Sequence, residues 1–241
     1  MNIIKNIKDE LNNLKNPDAD LERKFKYFHK TGDNGYAQFD EFLGITVPNI
    51  RLIAKKYYKE VRIEELQELL DSKYHEYRLE ALIILTYKMK KADEKEEKEI
   101  YDFYLKNTKN INGWDLVDLS CYEIVGKYLA GRKSERDILY KLVKSDLIWE
   151  RRIAIVSTMY FIRKLNEFDD TLKLADELIK DNEDLIHKAT GWLLREVGKK
   201  DYKVEYKYLK SRYKKMPRTS LRYAIERFEE NTRQDFLKGK V

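Results

Sequence analysis

The chain has few of the residues that mark sheets, disulfides and metal centres. Only 9 glycines and 3 prolines (Pro17, Pro48 and Pro217) occur in 241 residues. A sheet protein needs turn residues at intervals of roughly 8–12 positions, and this chain cannot supply them. The single cysteine, Cys121, excludes an intramolecular disulfide and a cysteine-based zinc site. The three histidines, His29, His75 and His187, are too few and too scattered along the chain for a metal centre on their own. No apolar run approaches the ~18 residues of a membrane span, and the N-terminus lacks the apolar block of a signal peptide. Gly-x-Ser-x-Gly, Gly-x-x-x-x-Gly-Lys, Gly-x-Gly-x-x-Gly and His-Glu-x-x-His are all missing. These absences predict a helical protein of the reducing cytoplasm, with no cysteine-based zinc site and no metal centre made by its histidines alone.

What is present is charge and aromatic bulk. Charged residues make up 38% of the chain and the hydrophobic set 42%, with 18 tyrosines. That is enough apolar surface for a core and excludes wholesale disorder. The net charge of +6 is unevenly spread: residues 186–241 hold 16 Lys+Arg against 7 Asp+Glu, or +9, leaving −3 for the rest. A basic last quarter suits a polyanion, nucleic acid first; a solvated lysine-rich surface is the other explanation.

Apolar residues recur at helical spacing, as in Leu79, Leu82, Ile83 and Thr86, and again in Val117, Cys121, Ile124, Val125 and Tyr128. Pro48 suits the first turn of a helix. Short polar connections at 91–93, 130–133 and 199–201 separate about twelve helices, and none resembles an interdomain linker, which predicts one domain over residues 1–241. A weak period emerges from segments 69–85, 107–125, 142–160 and 178–196, in which Arg78, Asp115, Arg152 and Lys188 step by 37, 37 and 36 residues. No tetratricopeptide pattern accompanies it, so HEAT-like or armadillo-like helix pairs fit. The predicted fold is an all-α helical-repeat solenoid, an α-α superhelix whose second helices line a concave face. The charged row would face that trough, and its acidic member needs explaining.

Asn112-Gly113-Trp114-Asp115-Leu116-Val117-Asp118 reads as a helix start, with Asn112 as cap and Asp115 completing an approximate capping box. Asp118 is four residues beyond Trp114 and shares its face. At ~100° per residue Asp118 lies at about 40° from Trp114, beside an apolar stripe spanning about 280° to 20°. A carboxylate at that border either pairs with a base, such as Arg152, or performs chemistry. Trp192 follows Gly191, which permits close backbone approach, and Trp149 opens Trp149-Glu150-Arg151-Arg152. Tryptophans in helical proteins are usually core, yet rings flanked by Arg and Lys also suit stacking on sugars or bases. Cys121 falls in the apolar stripe and reads as core.

Four blocks carry a resemblance: Trp114-Asp115-Leu116-Val117-Asp118, Trp149-Glu150-Arg151-Arg152-Ile153-Ala154, Lys188-Ala189-Thr190-Gly191-Trp192-Leu193-Leu194-Arg195-Glu196, and Met216-Pro217-Arg218-Thr219-Ser220-Leu221-Arg222-Tyr223-Ala224-Ile225-Glu226. With Leu43-Gly44-Ile45-Thr46-Val47-Pro48, they resemble the AlkD-type DNA alkylation repair glycosylases, in the expected order from about residue 20 to 228. The resemblance implies a HEAT-like solenoid that holds duplex DNA and hydrolyses the N-glycosidic bond of N3- or N7-alkylated purines, without metal, cofactor or base flipping. It implies Asp118 as the catalytic carboxylate, Trp114 and Trp192 against the deoxyribose, and Arg152 beside the backbone, although repeat spacing also allows Arg151. Tyr27 matches an N-terminal aromatic of the site. Arg51, Lys188, Arg195, Lys214, Lys215, Arg218 and Arg222 are the expected DNA contacts. The implied protein is a monomer without an obligate protein partner or membrane, cytoplasmic and nucleoid-associated when on DNA. A catalytically silent DNA-binding relative and a protein-interaction scaffold are the alternatives.

Overall fold

Residues 2–16, 27, 29 and 35–241 are described by a computed structural model. Among them there is no β-strand, only an isolated bridge between Glu41 and Tyr74. No described helix is long and apolar enough to cross a membrane. The chain packs as two compact units, Met1–Ile124 and Val125–Val241. Their boundary falls inside the helical stretch Tyr122–Gly126, so no linker composition marks it.

The first unit contains α1 (Ile3–Asn13), α2 (Val47–Tyr57), α3 (His75–Met89), α4 (Glu94–Lys106) and α5 (Trp114–Ser120). Local chemistry sets several starts. The Asn2 side chain accepts from the Lys5 N–H at 3.1 Å, and Asp93 accepts from Glu96 N–H at 2.9 Å, ahead of three acids in the first turn of α4. Pro48 lies in the first turn of α2, as its missing N–H allows. Helix α3 is the centre of this unit, with α2, α4 and α5 packed on it. It is buried on every side from His75 to Thr86, including Glu76, Arg78 and Glu80, so the single apolar face expected for it is exceeded.

The second unit contains α6 (Asp137–Leu142), α7 (Ile148–Ser157), α8 (Asp169–Glu177), α9 (Asp184–Lys200), α10 (Tyr202–Arg212), α11 (Arg218–Ala224) and α12 (Glu230–Lys238). Helix α9 is central, flanked by α7, α8, α10 and α11. Aromatics close the C-terminal end, where Tyr213 and Phe228 pack edge-on against Phe236 at 5.4 and 5.6 Å between ring centres.

A turn recurs ahead of three helices and fixes the register of the repeat. Ser72 Oγ accepts from Tyr74 N–H, and the Ser72 carbonyl accepts from Arg78 at 2.6 Å. Ser145 Oγ accepts from Leu147 N–H, and the Ser145 carbonyl accepts from Arg151 at 2.9 Å. Asp181 accepts from Glu183 N–H, and its carbonyl lies 2.6 Å from His187 Nε2. The equivalent residues are therefore Arg78, Arg151 and His187. The period of about 36 residues holds, but the row Arg78, Asp115, Arg152, Lys188 slips by one at its third and fourth members. The turn that starts each helix sets the register, and charge type does not report it.

Candidate functional site

Trp114 and Asp118 lie one turn apart on α5, both half-buried. Val117, Cys121, Ile124 and Val125 are fully buried and Tyr128 nearly so, which puts Asp118 at the border of the apolar stripe as the helical angles predict. Trp149, at 3% exposed, is core. The expected cap does not form. Gly113 is the N-cap and offers no side chain, while Asn112 donates to Asp40 Oδ1 at 3.1 Å.

Asp115 turns instead to a histidine pair. Its Oδ2 lies 2.7 Å from His75 Nε2, and its Oδ1 lies 3.6 Å from His29 Nδ1. On the far side of the His75 ring, Nδ1 faces Asp40 Oδ2 at 3.4 Å, and Arg78 donates to that same oxygen at 2.5 Å. Burial opposes a charge on His75, but Asp115 and Asp40 outweigh it and push its pKa up to about 9, so the ring is an imidazolium at neutral pH. Burial also works against the Asp115 carboxylate, and the His75 pairing overcomes it and holds its pKa below the usual range. His29 goes the other way, since burial dominates and lowers its pKa. The His29 ring stacks on Trp114, with centres 5.9 Å apart and planes 11° from parallel.

His29, His75, Trp114 and Asp115 line a pocket of about 350 Å³, completed by Ile45, Val47, Glu76 and Leu79. Glu76 is not available to a ligand, because its carboxylate accepts from the Leu43, Gly44 and Ile45 N–H groups. Donor atoms of His29, His75 and Asp115 fall within 4.8 Å of one another, so the fold gathers histidines that look scattered in sequence. The two ring nitrogens of His75 each face a carboxylate, Nε2 towards Asp115 and Nδ1 towards Asp40, so the cluster is tied into an ion-pair network that continues to Arg78. His29, His75 and Asp40 are the residues that sequence reading misses. No motif joins them, and only the fold brings them to Asp115.

The other expected site residues are differently placed. Tyr27 is 80% exposed and Arg51 is exposed on α2. On α7, Arg152 is 5% exposed and donates to the Leu185 carbonyl at 2.5 Å, while Arg151 is held by Asp181 at 2.7 Å. Trp192 is half-buried on α9. Lys188 pairs with Asp184 at 2.7 Å, and Arg195 pairs with Glu226. Lys214, Lys215, Arg218 and Arg222 are exposed in and beside α11.

An all-helical repeat protein with a half-buried Trp–Asp pair and a cation-rich second unit is the class these features define. Residues 7–228 match the family described as DNA alkylation repair enzyme, and the chain belongs to that family. A DNA repair role and DNA as partner follow from that membership. The fold is also that of a solved structure described as a predicted DNA alkylation repair enzyme from Enterococcus faecalis, with a TM-score of 0.69 and 19% identity over 90% of this chain and 97% of that one. No curated protein sequence matches.

Proposed function

We propose that the protein is a monofunctional DNA glycosylase that hydrolyses the N-glycosidic bond of N3- and N7-alkylated purines in duplex DNA. The observation that carries this reading is the pair on α5: Trp114 and Asp118, one turn apart and both half-buried beside the apolar stripe. A carboxylate mounted next to an indole on one helical face suits a sugar that becomes cationic. Family membership supplies the substrate class, DNA.

The chemistry needs little else. An N3- or N7-alkylated purine carries positive charge and leaves as a neutral base, so no general acid is required. The deoxyribose becomes oxocarbenium-like as the bond breaks. A carboxylate at ~4 Å from that charge, with effective ε ~20, contributes about 4 kcal/mol, nearly a thousandfold in rate. Asp118 fills that role and orients the attacking water. Trp114 packs on the sugar, Trp192 is a second proposed sugar contact, and Arg152 is the proposed backbone contact, which it reaches only by leaving the Leu185 carbonyl. The lesion stays stacked in this reading, so the alkyl group is not enclosed and bulky adducts are accepted.

The deciding experiment compares base release from a duplex bearing one N7-methylguanine by wild type and Asp118→Asn. Release by wild type that drops tens-fold or more in the variant supports the assignment. Release that survives the substitution moves the carboxylate elsewhere. Tight, salt-sensitive binding without release by either protein identifies a DNA-binding relative that lacks the chemistry.

A further inference from the structure

We infer that His75 is a positioning residue for the repair site: it fixes the first turn of α5, and through it the Trp114 indole, by a buried chain of charged hydrogen bonds running Arg78–Asp40–His75–Asp115. The inference rests on the proposed roles of Trp114 and Asp118, neither of which His75 needs to touch.

Helix α5 has only seven residues and no side-chain cap on Gly113, so its first turn lacks the usual means of staying wound. Asp115 is the residue that ties it down. It follows Trp114 directly, and its carboxylate is anchored 2.7 Å from His75 Nε2. His75 is itself 3% exposed at the start of α3, the most buried helix of the unit. The chain then continues to Asp40, held by Arg78 at 2.5 Å and by Asn112 at 3.1 Å. Asn112 immediately precedes Gly113, so the network grips α5 on both sides of its N-cap. Two rings complete the mount: His29 stacks on Trp114, and Phe42 stacks on His75 with centres 5.1 Å apart.

An imidazolium is suited to this place because it donates from both nitrogens at once, in opposite directions, to two carboxylates. A neutral ring can serve only one of them. Deprotonation would therefore release either Asp115 or Asp40, and the turn that carries Trp114 would loosen. The charged and titratable groups around the ring are Asp115, Asp40, Arg78, His29 and the adjoining Glu76, the last tied up by three backbone N–H groups.

The test compares wild type with His75→Gln, which donates without titrating. Three quantities are measured between pH 7 and 10: the single-turnover rate of N7-methylguanine release, the duplex affinity, and the Trp114 indole N–H resonance of the free protein. We expect the variant at pH 7.5 to lose roughly tenfold to a hundredfold in rate, the scale of a small misplacement of reacting groups, with affinity within about twofold. We expect the wild-type indole resonance to titrate with a midpoint near 9 and the variant's to stay flat. Equal indole titrations in the two proteins, or parallel losses of rate and affinity, would overturn the inference. If wild type releases no base, the glycosylase reading fails while the indole titration still decides the role of His75. Should His75→Gln not fold, Asp40→Asn interrupts the same chain and is judged by the same three measurements.

Discussion

The imidazole of His75 packs directly over Gly113: a Cβ there would lie 3.3 Å from His75 Cε1 and 2.8 Å from Asp115 Oδ1. The backbone of Gly113, at φ −145° and ψ 146°, is extended and open to any residue, so what favours glycine there is space. In the sequence, a glycine before Trp114 reads as slack in the mount of the site aromatic. In the fold it is what lets the His75–Asp115 pair approach and hold that mount.

Gly113→Ala is therefore expected to push the pair apart. Overpacking a tight contact typically costs about 1–3 kcal/mol, to be read as a lowered urea midpoint. Base release should slow by more than the loss of stability alone explains, because Asp115 moves with the added methyl. An alanine variant as stable and as fast as wild type would mean that the pair has room to spare.

Stability should decline on the alkaline side of neutrality. Glu80 sits in the middle of α3 with neither carboxylate oxygen hydrogen-bonded, and burial pushes its pKa up to about 9. Glu205 on α10 is pushed up by burial to about 8. Unfolded, both ionise near 4.5, so folding takes up protons above that pH. Their stability contribution is complete below about 4.5 and is lost as pH rises through 8 and 9. His75 has the same sign: its stabilisation is complete below 6.5 and is lost as pH passes about 9. Urea midpoints measured from pH 5.5 to 9.5 should fall steadily, and Glu80→Gln should flatten the slope. A variant with the wild-type slope would show that Glu80 is already ionised within the fold.

The helices and their period are legible because their causes are local. The apolar spacing that buries Val117, Cys121 and Ile124 lies within a turn of the residues it governs, whereas the cap read at Asn112 is lost to Asp40, a partner from far along the chain. The charged row is not legible in register, because Ser72, Ser145 and Asp181 set it through hydrogen bonds that Arg, Arg and His satisfy equally. Asp115 shows the same limit. Capping chemistry explains it fully in sequence, yet its partner, His75, is forty residues away and matches no spacing rule.

Gly191 is a case where the sequence reading and the fold agree, and it can be tested. A Cβ there would stand 2.3 Å from the Ser220 carbonyl oxygen and 2.6 Å from Tyr223 Cβ. Neither atom is the flexible end of a side chain, so α9 and α11 would have to separate. Gly191→Ala should destabilise the protein by about 1–3 kcal/mol or somewhat more, seen as a lower thermal midpoint. Trp192, the next residue, should move with α9 and change its fluorescence. An unchanged midpoint would mean that these helices can part without loss.

The salt dependence of DNA binding should report fewer cations than the C-terminal charge count suggests. Arg212 is held by Asp176 at 2.8 Å, Lys188 by Asp184, and Arg195 by Glu226. Each would have to give up a carboxylate to reach a phosphate, which cancels much of its gain. Lys210, Lys214, Lys215, Arg218 and Arg222 are exposed and pair with no carboxylate among the described residues. Five phosphate contacts give a log–log slope of affinity against salt near −4.5, from about −0.9 per contact. Replacing Lys214 and Lys215 together by alanine should reduce that slope by roughly two, whereas Lys188→Ala should leave it nearly unchanged. Filter binding or anisotropy between low and moderate salt reads both. A slope that falls as far for Lys188→Ala as for a single exposed lysine would show that the pair with Asp184 opens when DNA arrives. The phosphate surface would then reach along α9 towards Trp192.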